Sequence, residues 1–346
     1  MRNFKYLDRV LTEENDPLVI AEIGINHNGK LNDALLLVKK AIDAGAEFVK
    51  LQTHIASEEM SSEAKKIVPI HTKDNIYEII ESCELSIEEE IEVANYVKSR
   101  GVHFISTPFS IPAIERVVNL DVPFIKIGSG EFNNLPLIKE ACLSKLPLLL
   151  STGMNTLESI DKTVEEIRKY GNSFALMHCT NIYPTPDNCV RLNAITEMRQ
   201  RYPEIIIGLS DHTITNYACF GALALGASIL ERHFTDSKKR VGPDISCSMT
   251  PTDLKEIIIA SKILCKQRFG TKRLEIIEEN STRDFAFASV VAKVSISAGD
   301  IFSEQNLTVK RPGTGYFHAT KLDFLFGKKA INPIPENTQI KKEDVF

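Results

Sequence analysis

Short apolar runs alternate with amphipathic segments along most of this chain, and this alternation limits the possible folds more than any other feature. The runs are brief and rich in β-branched residues, so each one predicts a strand. Several intervening segments carry apolar residues at helical spacing, among them residues 34–44, 86–99, 156–170 and 193–202. The eight predicted strands are residues 18–23, 48–51, 102–105, 124–127, 148–150, 174–177, 205–209 and 229–230.

This repeat predicts a large α/β domain followed by a smaller one. Eight strand–helix units within about 250 residues match the usual size of a (β/α)8 TIM barrel, whereas a doubly wound sheet usually has fewer strands. After residue 266 the pattern changes to a charged segment and then to short strand-like pieces separated by turns. We therefore predict a barrel over residues 1–266, a linker over 267–286 and a small β-rich domain over 287–346.

The composition argues against several classes of function. The net charge of −5 gives no general attraction for nucleic acids or membrane surfaces. The seven cysteines include no C-x-x-C pair, which favours reduced thiols and a cytoplasmic location. The N-terminal segment does not resemble a secretory signal, and no apolar run is long enough to span a bilayer. We expect small-molecule substrates and neither a nucleic acid nor a membrane as partner.

Polar or ionisable side chains follow each predicted strand directly. The carboxyl ends of barrel strands share one rim, and burial of polar groups is costly unless they are paired or hydrated, so a single concave site at that rim would accommodate all of them. Ordinary turns are made by Gly, Pro, Asn and Asp. They do not explain Lys50, Gln52, Glu131 or Glu231.

Two histidines end neighbouring strands near the middle of the chain. One run delivers Ser210-Asp211-His212 and the next delivers Glu231-Arg232-His233. A crossover helix over residues 217–226 would make the two strands parallel neighbours. A single buried histidine is usually a core residue, but two imidazoles beside Glu231 form part of a coordination shell for a divalent transition metal, with positions left for water or substrate.

Two lysines and several hydroxyl groups indicate an anionic ligand at the same rim. Lys50 and Lys126 lie at the ends of apolar strands, where a cation is costly unless it meets an anion. That anion could also be a carboxylate of the rim, in a structural ion pair. Hydroxyl groups on neighbouring strands could complete a cradle for phosphate. They belong to Thr107, Ser129, Ser151 and Ser210.

Three carboxylates are candidates for proton transfer. Glu22 and Glu131 follow the first and fourth strands, and Asp244 lies in a loop beyond the eighth. Carboxylates in a partly dry cleft can have separated pKa values and act as acid and base, although each could also be an ordinary surface group. Arg311 lies in a turn, where it is either solvated or able to reach the pocket of another subunit.

Ordered motifs from about residue 17 onwards resemble the bacterial N-acetylneuraminate (sialic acid) synthase family, and the C-terminal part resembles its antifreeze-like (SAF) domain. The motifs include Ala21-Glu22-Ile23-Gly24-Ile25-Asn26-His27-Asn28-Gly29, Lys50-Leu51-Gln52-Thr53, Ser106-Thr107-Pro108-Phe109, Lys126-Ile127-Gly128-Ser129-Gly130-Glu131, Leu150-Ser151-Thr152-Gly153-Met154, His178-Cys179-Thr180-Asn181-Ile182-Tyr183-Pro184, Gly208-Leu209-Ser210-Asp211-His212 and Glu231-Arg232-His233-Phe234-Thr235.

The resemblance implies a synthase that condenses phosphoenolpyruvate with an open-chain N-acetylated amino sugar. Such an enzyme cleaves a C–O bond, holds Mn2+ or another divalent ion such as Mg2+ or Co2+, and works as a domain-swapped homodimer. By resemblance, the metal ligands are His212 and His233. Phosphoenolpyruvate would be held by Lys50, Thr107, Ser129, Ser151, Asn181 and Ser210. The sugar and the proton transfers would involve Glu22, Gln52, Glu131, Tyr183, Glu231, Asp244 and, from the partner subunit, Arg311.

The resemblance predicts N-acetylmannosamine as the sugar and N-acetylneuraminate as the product. His71 stands near a position where asparagine is expected by resemblance, so legionaminate synthesis from 2,4-diacetamido-2,4,6-trideoxymannose is an alternative. Pseudaminate synthesis ranks third because the Gly242-Pro243-Asp244 loop does not resemble that of pseudaminate synthases. Two alternatives of other classes are a metal-free aldolase with Lys126 or Lys50 as a Schiff base, and a non-enzymatic sugar- or ice-binding protein.

Overall fold

The chain forms two compact units, Met1–Phe269 and Gly270–Phe346. The computed structural model describes residues 2–68, 74–272 and 275–346, so His71 lies outside the described residues. The first unit begins with an antiparallel hairpin, β1 (Asn3–Tyr6) and β2 (Arg9–Thr12). Eight parallel strands follow: β3 (Leu18–Gly24), β4 (Phe48–Thr53), β5 (His103–Pro108), β6 (Ile125–Ile127), β7 (Leu148–Ser151), β8 (Phe174–Cys179), β9 (Ile206–Asp211) and β10 (Ile229–His233).

These eight strands curl into a nearly closed barrel. Their hydrogen-bonded order is β5-β4-β3-β10-β9-β8-β7-β6, and every ladder is parallel. β5 and β6 are also neighbours, but within the described residues no ladder joins them. The predicted (β/α)8 fold is therefore confirmed, and each predicted apolar run overlaps one of the eight strands.

Helices surround the barrel and cover the outward-facing side chains of its strands. Local sequence sets several of their starts: Ser86 and Thr250 form capping boxes with Glu89 and Asp253. The helices are α1 (Leu31–Asp43), α2 (Ala56–Glu59), α3 (Ile76–Glu81), α4 (Ile87–Ser99), α5 (Ile111–Asn119), α6 (Leu135–Leu143), α7 (Leu157–Arg168), α8 (Asn193–Arg201), α9 (Tyr217–Ala224) and α10 (Pro251–Gln267). Short 3-10 helices occupy Ser62–Lys66, Ser129–Glu131 and Asp187–Cys189.

An apolar cluster fills the amino-terminal half of the barrel and includes the hairpin. Phe4 and Tyr6 of β1 pack with the inward-facing Phe48 and Phe124. The ring centroids lie 5.5 Å apart for Phe4 and Phe124 and 6.0 Å apart for Tyr6 and Phe48, both edge-to-face. The hairpin therefore belongs to the apolar floor beneath the polar rim.

The second unit is small, and short extended pieces make up most of it. Its elements are α11 (Asn280–Ala286), β11 (Ser289–Ala292), β12 (Leu307–Lys310), α12 (Leu322–Leu325) and 3-10 turns at Ile277–Glu279, Ala319–Lys321 and Lys342–Asp344. β11 and β12 are antiparallel, and isolated bridges such as Ile296 to Ile334 add further pairing. Val290, Phe302 and Ile340 lie in its own apolar core. In neither unit do the described residues include a helix that could cross a membrane.

Candidate active site

The two-residue period of each strand decides which side chains meet inside the barrel. Ile20 of β3 and Ile229 of β10 lie in the apolar floor, so Glu22 and Glu231, two residues further on, point the same way above it. The resulting cavity is lined by Glu22, Lys50, Gln52, Thr107, Phe109, Lys126, Gly128, Ser129, Gly130, Ser151, Cys179, Asn181, Tyr183, Ser210, His212, Glu231 and His233.

Most of the site residues that were predicted from the sequence belong to the lining of this cavity, and three do not. Asp244 approaches from its loop, with Oδ2 at 3.5 Å from Nδ1 of His233. Glu131 lies outside the lining, and its carboxylate accepts a hydrogen bond from the side chain of Asn134 at 2.6 Å. Arg311 is exposed in the second unit.

Some lining residues were not predicted as site residues. Cys179, Phe109 and the backbone at Gly128 and Gly130 border the cavity. Cys179 follows the floor residue Met177 by two positions on β8, so strand alternation was the signal that could have found it. Burial raises the pKa of this thiol to about 11, which keeps it protonated at neutral pH.

Four buried charges form a compact network at the base of the cavity. Nζ of Lys50 lies 3.0 Å from Oε2 of Glu22 and 3.5 Å from Oε1 of Glu231. Nζ of Lys126 lies 3.2 Å from the same oxygen of Glu231. Glu231 therefore bridges the two lysines, and the cations that the sequence placed at the rim are already paired with carboxylates.

Each lysine also donates a hydrogen bond to a hydroxyl group. Nζ of Lys50 donates to Oγ1 of Thr107 at 3.0 Å, and Nζ of Lys126 donates to Oγ of Ser151 at 2.8 Å. A third hydroxyl, that of Ser210, donates to Glu231 at 3.2 Å. Cations and hydroxyl groups thus line one side of the cavity together, which is the chemistry expected for binding phosphate or carboxylate groups.

The two glutamates of the network have opposite pKa shifts. Burial raises the pKa of Glu22 to about 7, against the opposing charge of Lys50. Burial also acts to raise the pKa of Glu231, but the charges of Lys126 and Lys50 outweigh it and hold this pKa at about 2. Glu231 is therefore the more acidic of the two carboxyl groups, and Glu22 is the one that holds a proton more readily.

The two imidazoles lie side by side across the β9–β10 pair. The ring centroids of His212 and His233 are 5.4 Å apart. Nδ1 of His212 donates to the carbonyl oxygen of Thr180 at 2.9 Å, which leaves Nε2 with its lone pair. Nδ1 of His233 is buried and makes no hydrogen bond within the described residues, and Oδ2 of Asp244 lies 3.5 Å from it. The ring of Tyr183 packs over His212 at 4.0 Å between centroids.

These imidazoles could supply two ligands to a divalent metal ion. Burial is the main cause that lowers the pKa values of His212 and His233 to about 4 and about 3, so both rings are neutral, the form that binds metals. No cluster of three or more His, Cys, Asp or Glu side chains among the described residues has the geometry of a metal site. The other ligand positions would have to come from water or substrate.

A buried ion pair on the outer face of the same strands anchors the loops behind the imidazoles. Nε of Arg232 lies 3.1 Å from Oδ2 of Asp211. The guanidinium also donates to the carbonyl oxygens of Thr213 at 2.6 Å and Cys247 at 3.3 Å. Because successive side chains of a strand point to opposite faces, each histidine motif places some residues in the cavity and others on the outer face, where they hold the loops in place.

A glycine makes room for one cavity side chain. A Cβ atom on Gly153 would lie 1.7 Å from Oδ1 of Asn181 and 2.8 Å from Oγ of Ser129. The backbone N–H of Gly153 itself donates to that Ser129 oxygen at 3.1 Å. Any larger residue at this position would displace Asn181 from the cavity.

Comparison with known proteins identifies the family. Residues 37–272 match the family model described as the NeuB family, and residues 287–345 match the SAF domain. The chain belongs to the NeuB family. The predicted resemblance is thereby confirmed, together with the SAF domain.

Relatives of this NeuB-family chain are named as sugar acid synthases. The N,N'-diacetyllegionaminic acid synthase of Campylobacter jejuni is 34% identical over 333 residues, which is 94% of this chain and 99% of the relative. The N-acetylneuraminate-9-phosphate synthase of Homo sapiens is 30% identical over 329 residues, 94% of this chain and 91% of the relative. The crystal structure of the sialic acid synthetase from Leptospira borgpetersenii in complex with citrate has a TM-score of 0.74 and 26% identity, and the match covers 81% of this chain and 96% of that one.

Proposed function

We propose that this NeuB-family chain condenses phosphoenolpyruvate with an open-chain N-acetylated amino sugar to give a nonulosonate and inorganic phosphate. The observation that carries the proposal is one cavity with two buried lysines and hydroxyl groups on one side and two neutral imidazoles on the other. The first set suits a phosphorylated acid, and the second suits the carbonyl end of a sugar.

The phosphorylated acid would bind among the cations and hydroxyl groups. Lys50 and Lys126 are buried, so a substrate anion there interacts with them at short range and with little solvent screening. Ser129, Ser151 and Asn181 add donors around the same volume. Because Glu231 already compensates part of the positive charge, a dianionic phosphate would also draw on these neutral donors.

The sugar would bind towards the imidazoles, Tyr183 and Asp244. A divalent ion held there by His212 and His233 supplies Lewis-acid polarisation of a carbonyl oxygen. We propose Mn2+, or alternatively Mg2+ or Co2+, because neutral imidazole together with oxygen ligands suits such ions. Asp244 lies beside His233, and burial raises the pKa of its carboxyl group to about 6.

The reaction balances without an external oxidant or reductant. The methylene carbon of phosphoenolpyruvate forms a bond to the aldehyde carbon of the sugar, and water adds to the carbon that carries the phosphate ester. The C–O bond to that bridging oxygen then breaks and phosphate leaves. One proton of water ends on the new hydroxyl group and the other on phosphate. Glu22 is our candidate for moving such a proton, since its pKa of about 7 allows both directions.

N-acetylmannosamine is the proposed sugar, with N-acetylneuraminate as product. The diacetamido-trideoxy sugar of legionaminate synthesis is the second candidate. The observation that favours it is the identity of 34% along nearly the whole chain with a relative named as an N,N'-diacetyllegionaminic acid synthase. The SAF domain and its Arg311 are proposed to complete the site of a second subunit in a domain-swapped homodimer.

A substrate panel tests the proposed function. The chain is incubated with phosphoenolpyruvate, Mn2+ and either sugar, and phosphate release and product mass are measured. We expect phosphate release with N-acetylmannosamine and a product of the mass of N-acetylneuraminate. Phosphoenolpyruvate labelled with 18O at the bridging oxygen should transfer the label to phosphate. Absence of phosphate release with both sugars and with Mn2+, Mg2+ and Co2+ would contradict the proposal.

The Schiff-base alternative has a separate test. Burial lowers the pKa of Lys126, which would favour a free amine, but its ammonium group is paired with Glu231 at 3.2 Å. Borohydride treatment in the presence of pyruvate should therefore give no covalent adduct detectable by mass spectrometry. An adduct on Lys126 or Lys50, with activity that survives chelation, would favour the aldolase instead.

A further inference from the structure

A row of four polar side chains extends from the cavity into the protein behind Glu22. Nε2 of Gln52 donates to Oε1 of Glu22 at 3.0 Å, and Oε1 of Gln52 lies 3.0 Å from Nε2 of His54. At the far end, Nδ1 of His54 lies 3.0 Å from both carboxylate oxygens of Glu59. The side chains of His54 and Glu59 are 4% and 5% exposed, so water competes little for these contacts.

The ring of His54 is held in place as well as hydrogen-bonded. It stacks on Phe109, with 4.3 Å between the ring centroids and 15° between the ring planes. Phe109 lines the cavity, whereas His54 and Glu59 do not. His54 therefore has no direct route to a bound substrate, and any influence on one must pass through a neighbour.

The carboxamide of Gln52 is the group through which such an influence would pass. One end of a carboxamide only donates and the other only accepts hydrogen bonds. If Gln52 were reversed, its oxygen would face the carboxylate of Glu22, and two acceptors would oppose each other. The contacts of His54 require the same orientation when its ring is an imidazolium, which donates Nδ1–H to Glu59 and Nε2–H to the Gln52 oxygen. Both ends of the row thus favour one orientation of the amide.

We propose that His54, held by Glu59 and Phe109, is a positioning residue that fixes the carboxamide of Gln52 with its NH2 group on Glu22. The proposal rests on the proposed function, in which Glu22 moves a proton and Gln52 borders the sugar. It extends that function by two residues that do not touch substrate. A fixed amide keeps the Glu22 carboxylate oriented.

The substitution His54→Phe tests the proposal, because phenylalanine can keep the stacking on Phe109 but has no ring nitrogen. We expect kcat/KM for the sugar to fall by about 10- to 100-fold, by analogy with the loss of a group that orients a metal ligand. The KM for phosphoenolpyruvate should change by less than about twofold. The matched control is His103→Phe, since His103 also stacks on a phenylalanine, Phe48, at 4.9 Å in the floor cluster, and its kinetic constants should equal those of the wild type.

A double variant separates positioning from general damage. In a Gln52→Ala background the group on which His54 acts is absent, so adding His54→Phe should change kcat/KM for the sugar by less than about twofold. If the two substitutions lower kcat/KM independently, so that their effects multiply in the double variant, the proposal is overturned. Glu59→Gln provides a second route if His54→Phe does not fold, and it should lower kcat/KM in the same direction but by less.

Crystal structures give a readout that does not depend on activity. In the His54→Phe variant, the carboxamide of Gln52 should leave hydrogen-bond distance of Glu22, and in His103→Phe it should remain there. An unmoved Gln52 in the His54→Phe structure would overturn the proposal. If wild-type protein released no phosphate while Gln52 moved as expected, the proposed function would fail and the positioning role would stand.

Discussion

Glu231 illustrates how a single residue can organise a buried site. Its Oε1 atom lies within 3.5 Å of both lysine ammonium groups and accepts a hydrogen bond from Ser210. Removal of one partner from such a network leaves an uncompensated buried charge, which is more costly than loss of a surface pair. We therefore regard Glu231 as the residue that keeps Lys50 and Lys126 in place for an anionic substrate.

The imidazole pair gives a prediction about metal affinity. The substitution His233→Ala removes one of two neutral ring nitrogens from the proposed ion, so the Kd for Mn2+ should rise by about 100-fold or more. Calorimetric titration of the purified protein with Mn2+ measures this, and circular dichroism verifies the fold.

His318→Ala is the matched control for this titration, because His318 is an exposed histidine of the second unit and its loss should leave Mn2+ binding unchanged. Unaltered Mn2+ affinity in His233→Ala would contradict the assignment of this residue as a metal ligand.

The positions of individual site residues are predictable from the sequence only where they lie on a strand. Their positions at the carboxyl ends of predicted strands indicate that Glu22, Lys50, Ser151, Ser210 and Glu231 share one rim, and the structure brings them into one cavity. Glu131 was expected there by the same argument. A 3-10 turn at Ser129–Glu131 follows β6, and the period of two no longer applies beyond the strand.

At the scale of elements, the amino-terminal hairpin is the part that the sequence pattern did not reveal. Its two strands of four residues each are too short for periodicity to distinguish them from a loop. Their inward residues Phe4 and Tyr6 are nevertheless part of the barrel floor. The hairpin owes its structure to this tertiary packing more than to local propensity.

The hairpin's role predicts a large loss of stability from one substitution. Phe4→Ala should lower the free energy of unfolding of the barrel by about 3–5 kcal/mol, because it opens a cavity beside Phe124. Urea unfolding monitored by circular dichroism measures the change. Val10→Ala on the neighbouring strand is the control, since Val10 is half exposed and should cost little. Equal effects of both variants would argue against the hairpin as part of the floor.

Helix α4 carries a buried carboxyl group that makes stability depend on pH. Burial raises the pKa of Glu90 to about 7 although Arg116 lies 3.8 Å away. The folded protein therefore binds this proton more tightly than the unfolded chain. This contribution to stability is complete below the ordinary pKa of about 4.3 and is lost as the pH rises to 7.

The substitution Glu90→Gln tests this linkage. In the wild type, Glu90 should make the free energy of unfolding fall by at most about 1.4 kcal/mol per pH unit between pH 4.5 and 7. The variant should lack this contribution. Urea unfolding at several pH values gives the slope for each protein. Glu88→Gln on the exposed face of the same helix should keep the wild-type slope. A wild-type slope in Glu90→Gln would show that the carboxyl group is ionised in the folded state.

For the whole molecule, the testable question is whether Arg311 acts in the other subunit. If the protein is a dimer, mixed dimers are prepared from an Arg311→Ala chain, expected to be impaired, and a His233→Ala chain, expected to be inactive. If the arginine is supplied in trans, the intact barrel of the first chain receives Arg311 from the second, and activity returns on mixing. Size-exclusion chromatography verifies that dimers form. Activity that never returns on subunit exchange would count against the domain-swapped arrangement.

The sequence predicts the fold of the molecule better than it predicts the hydrogen bonds between side chains. The repeat of apolar runs predicts the barrel, because each strand must be buried on both faces and its neighbours must be parallel. Hydrogen-bond partners such as His54 for Gln52 depend on side-chain rotamers and on the path of the loop after β4, which no local pattern encodes. The fold was therefore predictable and the network behind Glu22 was not.

The gap in the barrel ladder has a consequence for ligand binding. Thr107 is the second-last residue of β5 and Lys126 lies on β6, so the two strand edges that no backbone ladder joins within the described residues carry hydrogen-bonding groups of the cavity. A phosphorylated acid that contacts both would cross-link these edges through its own oxygen atoms. Amide protons of β5 and β6 should then exchange with deuterated solvent more slowly when the acid is present, while those at the β8–β9 ladder should exchange at an unchanged rate.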